Sequence, residues 1–357
     1  MTTLVTGGTG FLGRHLVERL VARGEQVRVL TRRFDLELSD MGVEIVEGSL
    51  LNDEDVARAV DGVTHVYHLA GRVERDPSKA HHMYALHVDA TRRLLMALKD
   101  QDIQKVVYAS TSGTVGVSED PEDIATERSP TKENLVKQWP YYLSKIYAER
   151  TVQTFIDKGM PIVVMRPTLL LGPGDREQSS TGDVVQFLQR KIPSTLEGGL
   201  SFVDARDAAD AFILAMDKAP AGESYLLGAS NVSLEKFFKR LADISGVSAP
   251  WMPIPDGALS FGAKLVKRAL DAVGATSTID PVSIEMGRHY WYIDWSKAQR
   301  DLGWTPRNGN ETLKDTVAWI RAHHPELAPT NTGVLGPEAY VPAVTLEYVR
   351  AQRTDEP

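Results

Sequence analysis

Apolar positions along the chain follow two alternating rhythms. Short apolar runs predict strands at 2–6, 26–31, 43–46, 64–69, 104–110 and 161–166. Between them, stretches with a helical period predict helices at about 11–23, 53–60, 80–99 and 141–158. Strands joined by helical crossovers make a parallel sheet with helices on both faces, a doubly wound α/β fold. From about Gly172 the rhythm loosens, with Pro173, Gly174, Pro193, Gly198 and Gly199 marking loops. Further helices are predicted at 207–218, 233–245 and 259–273, and a short strand at Ser224–Leu227. The division expected is 1–171 as the sheet domain, to which later segments can return, 172–324 as a smaller C-terminal α/β lobe, and 325–357 as a tail rich in Pro, Thr and Gly. The last part of that tail docks or frays.

In such sheets ligands sit outside the carboxyl ends of the strands. That rule gathers 7–13, 31–33, 69–72, 110–113 and 166–168 at one rim. The first of these, Gly7-Gly8-Thr9-Gly10-Phe11-Leu12-Gly13, has glycines spaced G-x-x-G-x-x-G between a strand and a helix. Gly7 can take the positive φ of a tight turn. Gly10 lets the backbone approach a pyrophosphate, and Gly13 lets the helix lie close on the strand. The helix N-terminus then faces the phosphates. An ordinary glycine-rich turn is the competing reading; the position at the first strand of a Rossmann-type pattern favours the dinucleotide. After the second strand, where NAD sites commonly place an acid on the ribose, the sequence reads Thr31-Arg32-Arg33. A guanidinium pairs with a 2′-phosphate that a carboxylate would repel. NADP(H) is therefore expected over NAD(H), against the alternative that Arg32 and Arg33 are solvated surface charges.

Composition narrows the classes. With 42% hydrophobic residues the 357-residue chain can bury a substantial core, and its net charge of −8 argues against a nucleic-acid binder. There is no cysteine, which removes disulfides, thiolate chemistry and cysteine metal sites; no metal is expected. No apolar run approaches the ~20 residues of a membrane span, and a cytoplasmic protein is expected.

Tyr141 and Lys145, four apart, share a helix face. A phenol titrates near pH ~10, and an adjacent ammonium lowers that value, making proton exchange with a carbonyl or hydroxyl feasible at neutral pH. Ser110-Thr111-Ser112 at the end of the fifth strand can hydrogen-bond a substrate oxygen, or can merely cap backbone groups.

These residues together resemble an extended short-chain dehydrogenase/reductase of the NAD-dependent epimerase/dehydratase superfamily. The matching segments are Thr6–Gly13, His68-Leu69-Ala70-Gly71, Ser110-Thr111-Ser112, Glu127-Arg128-Ser129-Pro130, Tyr141/Lys145, Arg166-Pro167, Leu171-Gly172-Pro173-Gly174-Asp175 and Asp301-Leu302-Gly303-Trp304-Thr305-Pro306. The chain is most similar to dihydroflavonol-reductase-like and 3β-hydroxysteroid-dehydrogenase-like members, and it also resembles sugar epimerases associated with hopanoid gene clusters. The resemblance implies Tyr141 as general acid/base, Lys145 on the nicotinamide ribose, and Thr111 as the catalytic hydroxyl with Ser112 as alternative. It places Gly7, Thr9, Gly10, Phe11, Leu12, Ser49, Leu50, Leu69, Ala70 and Gly71 around the cofactor, and Pro167 and Thr168 beside the nicotinamide. It also implies a homodimer pairing helices 80–99 and 141–158.

The sequence departs from the family in three places. Gly48-Ser49-Leu50 lacks the usual Asp. His87-Val88-Asp89-Ala90-Thr91 stands where Asn-Val-x-Gly-Thr is common, which leaves His87 to serve in the proton relay. Phe202-Val203-Asp204-Ala205-Arg206-Asp207 stands where the family has a His near the later helix, and its Arg206 contacts substrate or forms an ion pair with Asp204 or Asp207. The activity expected is NADP(H)-dependent reduction of a ketone or aldehyde, or the reverse, on an apolar or aromatic small molecule, with Trp251, Met252, Phe261 and Trp291 either lining its site or simply filling a core. The alternatives are a nucleotide-sugar epimerase or dehydratase holding NAD tightly, and a non-catalytic NADP sensor.

Overall fold

The computed structural model describes residues 2–73, 79–192, 194–250 and 281–327. Its main sheet is built from β1 (Thr2–Thr6), β2 (Gln26–Thr31), β3 (Glu44–Glu47), β4 (Val63–His68), β5 (Lys105–Ala109), β6 (Ile162–Pro167) and β9 (Ser224–Leu227). Their order is β3-β2-β1-β4-β5-β6-β9, with every pair parallel. This is the expected doubly wound sheet, and the order reverses between β1 and β4.

The strands are apolar on both faces because both are covered. Along β1, Leu4 packs toward α3 (Asp53–Val60), α5 (Ala90–Ala97) and α7 (Pro140–Ile156). Val5 packs toward α1 (Phe11–Ala22), α9 (Ala205–Lys218) and α12 (Ser296–Leu302). The same alternation separates Val106 from Val107 and Val164 from Val163.

A second sheet joins β7 (Leu169–Leu171), β8 (Gly199–Asp204) and β10 (Ser230–Ser233) in the order β10-β8-β7. It shares a core with α8 (Gly182–Leu188), α10 (Leu234–Ser245) and α13 (Gly309–His323), centred on Phe187, Phe202, Phe237 and Leu313. The chain beyond Gly172 thus builds the lobe and also supplies β9, α9 and α12 to the main sheet. The single helix predicted at 80–99 is three pieces: α4 (Ala80–Tyr84), a π-helical turn over Ala85–Asp89, and α5. The helix predicted at 259–273, with Trp251, Met252 and Phe261, lies outside the described residues, as does the tail beyond 327. Among the described residues no helix is long and apolar enough to cross a membrane.

Candidate active site

The Gly7–Gly13 loop carries β1 into α1 at the carboxyl rim. Gly7 has φ +74°, and a Cβ there would stand 2.8 Å from the Ala70 nitrogen. A Cβ on Gly13 would land on the Gly7 carbonyl oxygen, so helix and strand approach as only glycine permits. Gly10 is exposed and donates its N–H to the Gly7 carbonyl at 3.0 Å. α1 begins at Phe11 with no side-chain cap and no acid in its first turn. Its leading N–H groups are left for an outside acceptor, and its dipole favours an anion. An uncapped helix end over a cradle that a Cβ would fill suits a dinucleotide's pyrophosphate. Thr9 is exposed on the loop and Phe11 is half-buried, whereas the Leu12 side chain is in the core.

Around this cradle the other rim residues take distinct positions. Arg32 and Arg33 are exposed just past β2, and among the described residues neither makes an ion pair or side-chain hydrogen bond. The Ser49 N–H donates to Asp55 Oδ2 at 2.8 Å, while Leu50 turns into the core. The Leu69 N–H donates to the Thr6 carbonyl at 3.0 Å, Ala70 is half-buried, and Gly71 is exposed. Pro167 is buried, and the Thr168 hydroxyl donates to the Leu227 carbonyl at 3.0 Å. Among the described residues, no group of acidic or histidine side chains could hold a metal.

Pro140 at the start of α7 puts Tyr141 in the first turn and Lys145 one turn on. Burial pushes the Tyr141 phenol up to about 12, with the nearby Thr111 side chain pulling the other way. Lys145 Nζ donates to the Ala109 carbonyl at 2.9 Å and lies over the Tyr108 ring at 5.5 Å. Burial lowers it to about 8, opposed by Glu149. The spacing predicts a lowered phenol; the folded chain gives a raised one, because dehydration outweighs any help from an ammonium turned toward a carbonyl.

The three hydroxyls at the end of β5 separate. Ser110 donates to Glu149 Oε1 and so faces the interior. Thr111 meets Tyr141 and accepts the Gly113 N–H at 3.4 Å. Ser112 is buried at the start of a short 3₁₀ turn. His87 is also buried. Its Nε2 accepts the Arg72 N–H at 3.0 Å, and its Nδ1 lies 2.8 Å from Ser144 Oγ, which donates to the Tyr141 carbonyl at 2.7 Å. That chain fixes the proton on Nδ1. Burial and then Lys145 hold the ring well below its ordinary pKa, so it is neutral and both nitrogens are already engaged.

A family model described as "NAD dependent epimerase/dehydratase family" matches residues 3–228. The chain belongs to this family. It is 30% identical over 332 residues to a putative dihydroflavonol 4-reductase of Synechocystis, covering 89% of this chain and 94% of that one. It is 27% identical over 332 residues to a 3β-hydroxysteroid dehydrogenase/Δ5→4-isomerase of Mycobacterium tuberculosis, covering 85% of each. Among solved structures, that of gox2253 superposes with a TM-score of 0.78 at 27% identity, covering 90% of this chain and 98% of the other. The Thermus thermophilus UDP-glucose 4-epimerase in complex with NAD gives 0.70 at 25%, covering 90% and 99%. The protein is therefore an enzyme of a family that contains both nicotinamide-dependent reductases and epimerases.

Family membership does not account for every residue at the rim. Arg206 binds Asp204 through Nε at 2.9 Å and Nη2 at 2.7 Å, and Asp315 at 2.6 Å, so it is tied into an ion-pair network. Trp291 packs 4.8 Å from Tyr142 and 5.5 Å from Trp139, and the Tyr142 ring lies 5.0 Å from that of Tyr141. This aromatic patch adjoins Gly113, where a Cβ would meet both Tyr142 and Trp291. The sequence reading missed Glu149, which accepts Arg166 Nε at 2.9 Å and Nη2 at 2.7 Å and Thr114 Oγ1 at 3.1 Å. Its signal was present: it continues the four-residue spacing of Tyr141 and Lys145 on α7.

Proposed function

We propose that the protein is an NADP(H)-dependent reductase of a ketone or aldehyde, running in reverse as an alcohol dehydrogenase. The observation that carries this reading is the Tyr141 hydroxyl, with Thr111 close by and Lys145 one turn away, at the rim to which the uncapped end of α1 points. The nicotinamide, when bound, supplies the hydride to the carbonyl carbon. Thr111 holds the carbonyl oxygen and Tyr141 gives it the phenolic proton. A phenol held up at about 12 retains that proton at neutral pH, which suits donation and hence reduction. Lys145 binds the ribose hydroxyls and supplies positive charge beside the phenolate that forms.

NADP(H) is favoured by Arg32 and Arg33, which are exposed past β2 and have no ion-pair partner among the described residues. An apolar, ring-containing substrate is supported by the Trp139–Tyr142–Trp291 patch beside Tyr141 and by the names of the dihydroflavonol and hydroxysteroid relatives. A homodimer along α5 and α7 and a cytoplasmic location belong to the same reading. The test is NADPH oxidation against panels of ketones, aldehydes and nucleotide sugars. Turnover is expected on a cyclic or aromatic ketone. Tyr141→Phe should lower kcat by about 10²–10⁴-fold while leaving NADP⁺ affinity within about twofold; a variant that kept full turnover would remove the proton-transfer role.

Likeness to the NAD-bound UDP-glucose 4-epimerase favours a second reading, a nucleotide-sugar epimerase that recycles tightly held NAD. Protein purified with NAD attached, and acting on a nucleotide sugar without added cofactor, would establish it instead.

A further inference from the structure

Two acids lie close to the exposed arginines past β2. Asp35 is two residues beyond Arg33 and caps α2 (Leu36–Asp40) by accepting the Leu38 N–H at 3.1 Å; Glu37 follows in the first turn. Uncovered, both carboxylates would oppose a 2′-phosphate at this corner of the rim. Neither is uncovered. Arg14, on α1 immediately after Gly13, reaches Asp35 Oδ2 with Nη2 at 2.5 Å and Glu37 Oε2 with Nη1 at 2.9 Å. Arg176, on the loop that follows β7, reaches Glu37 Oε1 at 2.8 Å. The Arg14 side chain is only 17% exposed, so its fork is held between α1 and α2.

We propose that Arg14 sets the coenzyme preference indirectly, by neutralising Asp35 and Glu37 so that Arg32 and Arg33 are left to dominate the field at the ribose 2′ position. This rests on the reading that the cofactor's adenosine lies at the end of β2. Arg14 is committed to two carboxylates and is not itself the phosphate ligand; it is a positioning and charge-masking residue. Arg176 assists from the opposite side through Glu37 alone. Selectivity for the 2′-phosphate is then a balance of six side chains, only two of which face the phosphate.

NADP⁺ and NAD⁺ differ only in the 2′-phosphate, so calorimetric titration of the whole protein with each isolates the effect without using turnover. Arg14→Gln should weaken NADP⁺ by about tenfold, since Asp35 is uncovered and Glu37 is left with Arg176 alone, and leave NAD⁺ within about twofold. The triple variant Arg14→Gln/Asp35→Asn/Glu37→Gln should restore NADP⁺ affinity. Asn is chosen at 35 because it caps a helix as well as Asp does. Arg176→Gln, at an exposed position, should weaken NADP⁺ in the same direction by about twofold to threefold, and serves if Arg14→Gln does not fold. If Arg14→Gln weakens NADP⁺ and the triple variant does not recover, Arg14 is a direct phosphate ligand and the masking role is overturned. An unchanged NADP⁺/NAD⁺ ratio in both single variants overturns it as well. If the unmodified protein binds NAD⁺ more tightly than NADP⁺, the NADP reading itself fails, and that is known before any variant is made.

Discussion

Lys145 illustrates a conflict between function and stability within one side chain. Its ordinary pKa is near ~10.4, and burial brings it to about 8. Between those values the unfolded chain holds a proton that the folded chain releases, so stability rises with pH through that window and is lowest below it. Lys145→Met should therefore raise folding stability at pH 7 by roughly 1–3 kcal/mol while abolishing activity; a lower melting temperature would contradict the burial argument. His68 works in the acid range. It sits between Thr6 Oγ1 at 2.6 Å and Thr91 Oγ1 at 2.8 Å, and burial with Lys145 lowers it to about 3. Its folded pKa is depressed, so its contribution is complete above pH ~6.5 and is lost as pH falls toward 3, at up to about 1.4 kcal/mol per pH unit. Urea unfolding between pH 4 and 7 should show that slope, and His68→Asn should reduce it by about one proton's worth. At this scale local spacing was informative: Tyr141 and Lys145 are legible because a helix puts i and i+4 together. Thr111 was singled out by the family resemblance and not by spacing; what spacing could not show is that Ser110 donates to Glu149, 39 positions further on, which itself accepts from Arg166.

Among elements, the β1–α1 unit is specified most tightly. Gly13→Ala would drive a methyl group into the Gly7 carbonyl, and α1 would have to move off β1. About 1–3 kcal/mol of stability should be lost, and dinucleotide affinity should fall by more than tenfold; an unchanged titration with NADP⁺ would show that the loop does not hold the cofactor. The strands of the first half were legible because the central ones, β1, β4, β5 and β6, are mostly apolar runs covered on both faces, and the edge strand β3 keeps Ile45 and Val46 against the core. β7, β8 and β10 were not: they are short, and they acquire strand geometry from one another and from the Phe187–Phe202–Phe237 core. The π-helical turn at Ala85–Asp89 was also invisible, since periodicity over 80–99 averages across one irregular turn. It is the turn that turns His87 toward Ser144 and the Arg72 N–H.

For the whole molecule, the informative feature is where β9 goes. The chain leaves β6 at Pro167, builds β7, α8 and β8, returns through α9, and then lays β9 directly beside β6, pairing Val164 with Ser224 and Pro167 with Leu227. A boundary drawn at residue 171 follows the change in sequence rhythm but cuts through one sheet. A fragment ending there would leave β6 as an open edge and uncover Val163 and Met165 on the face that α9 packs. It should aggregate on expression, whereas the intact chain should melt in one calorimetric transition; a soluble, cooperatively folded fragment would contradict this. The lobe is therefore stitched into the seven-stranded sheet rather than appended to it. Lifting it out as a cassette would open the ladder between β6 and β9, whereas substitutions within the lobe leave that register intact.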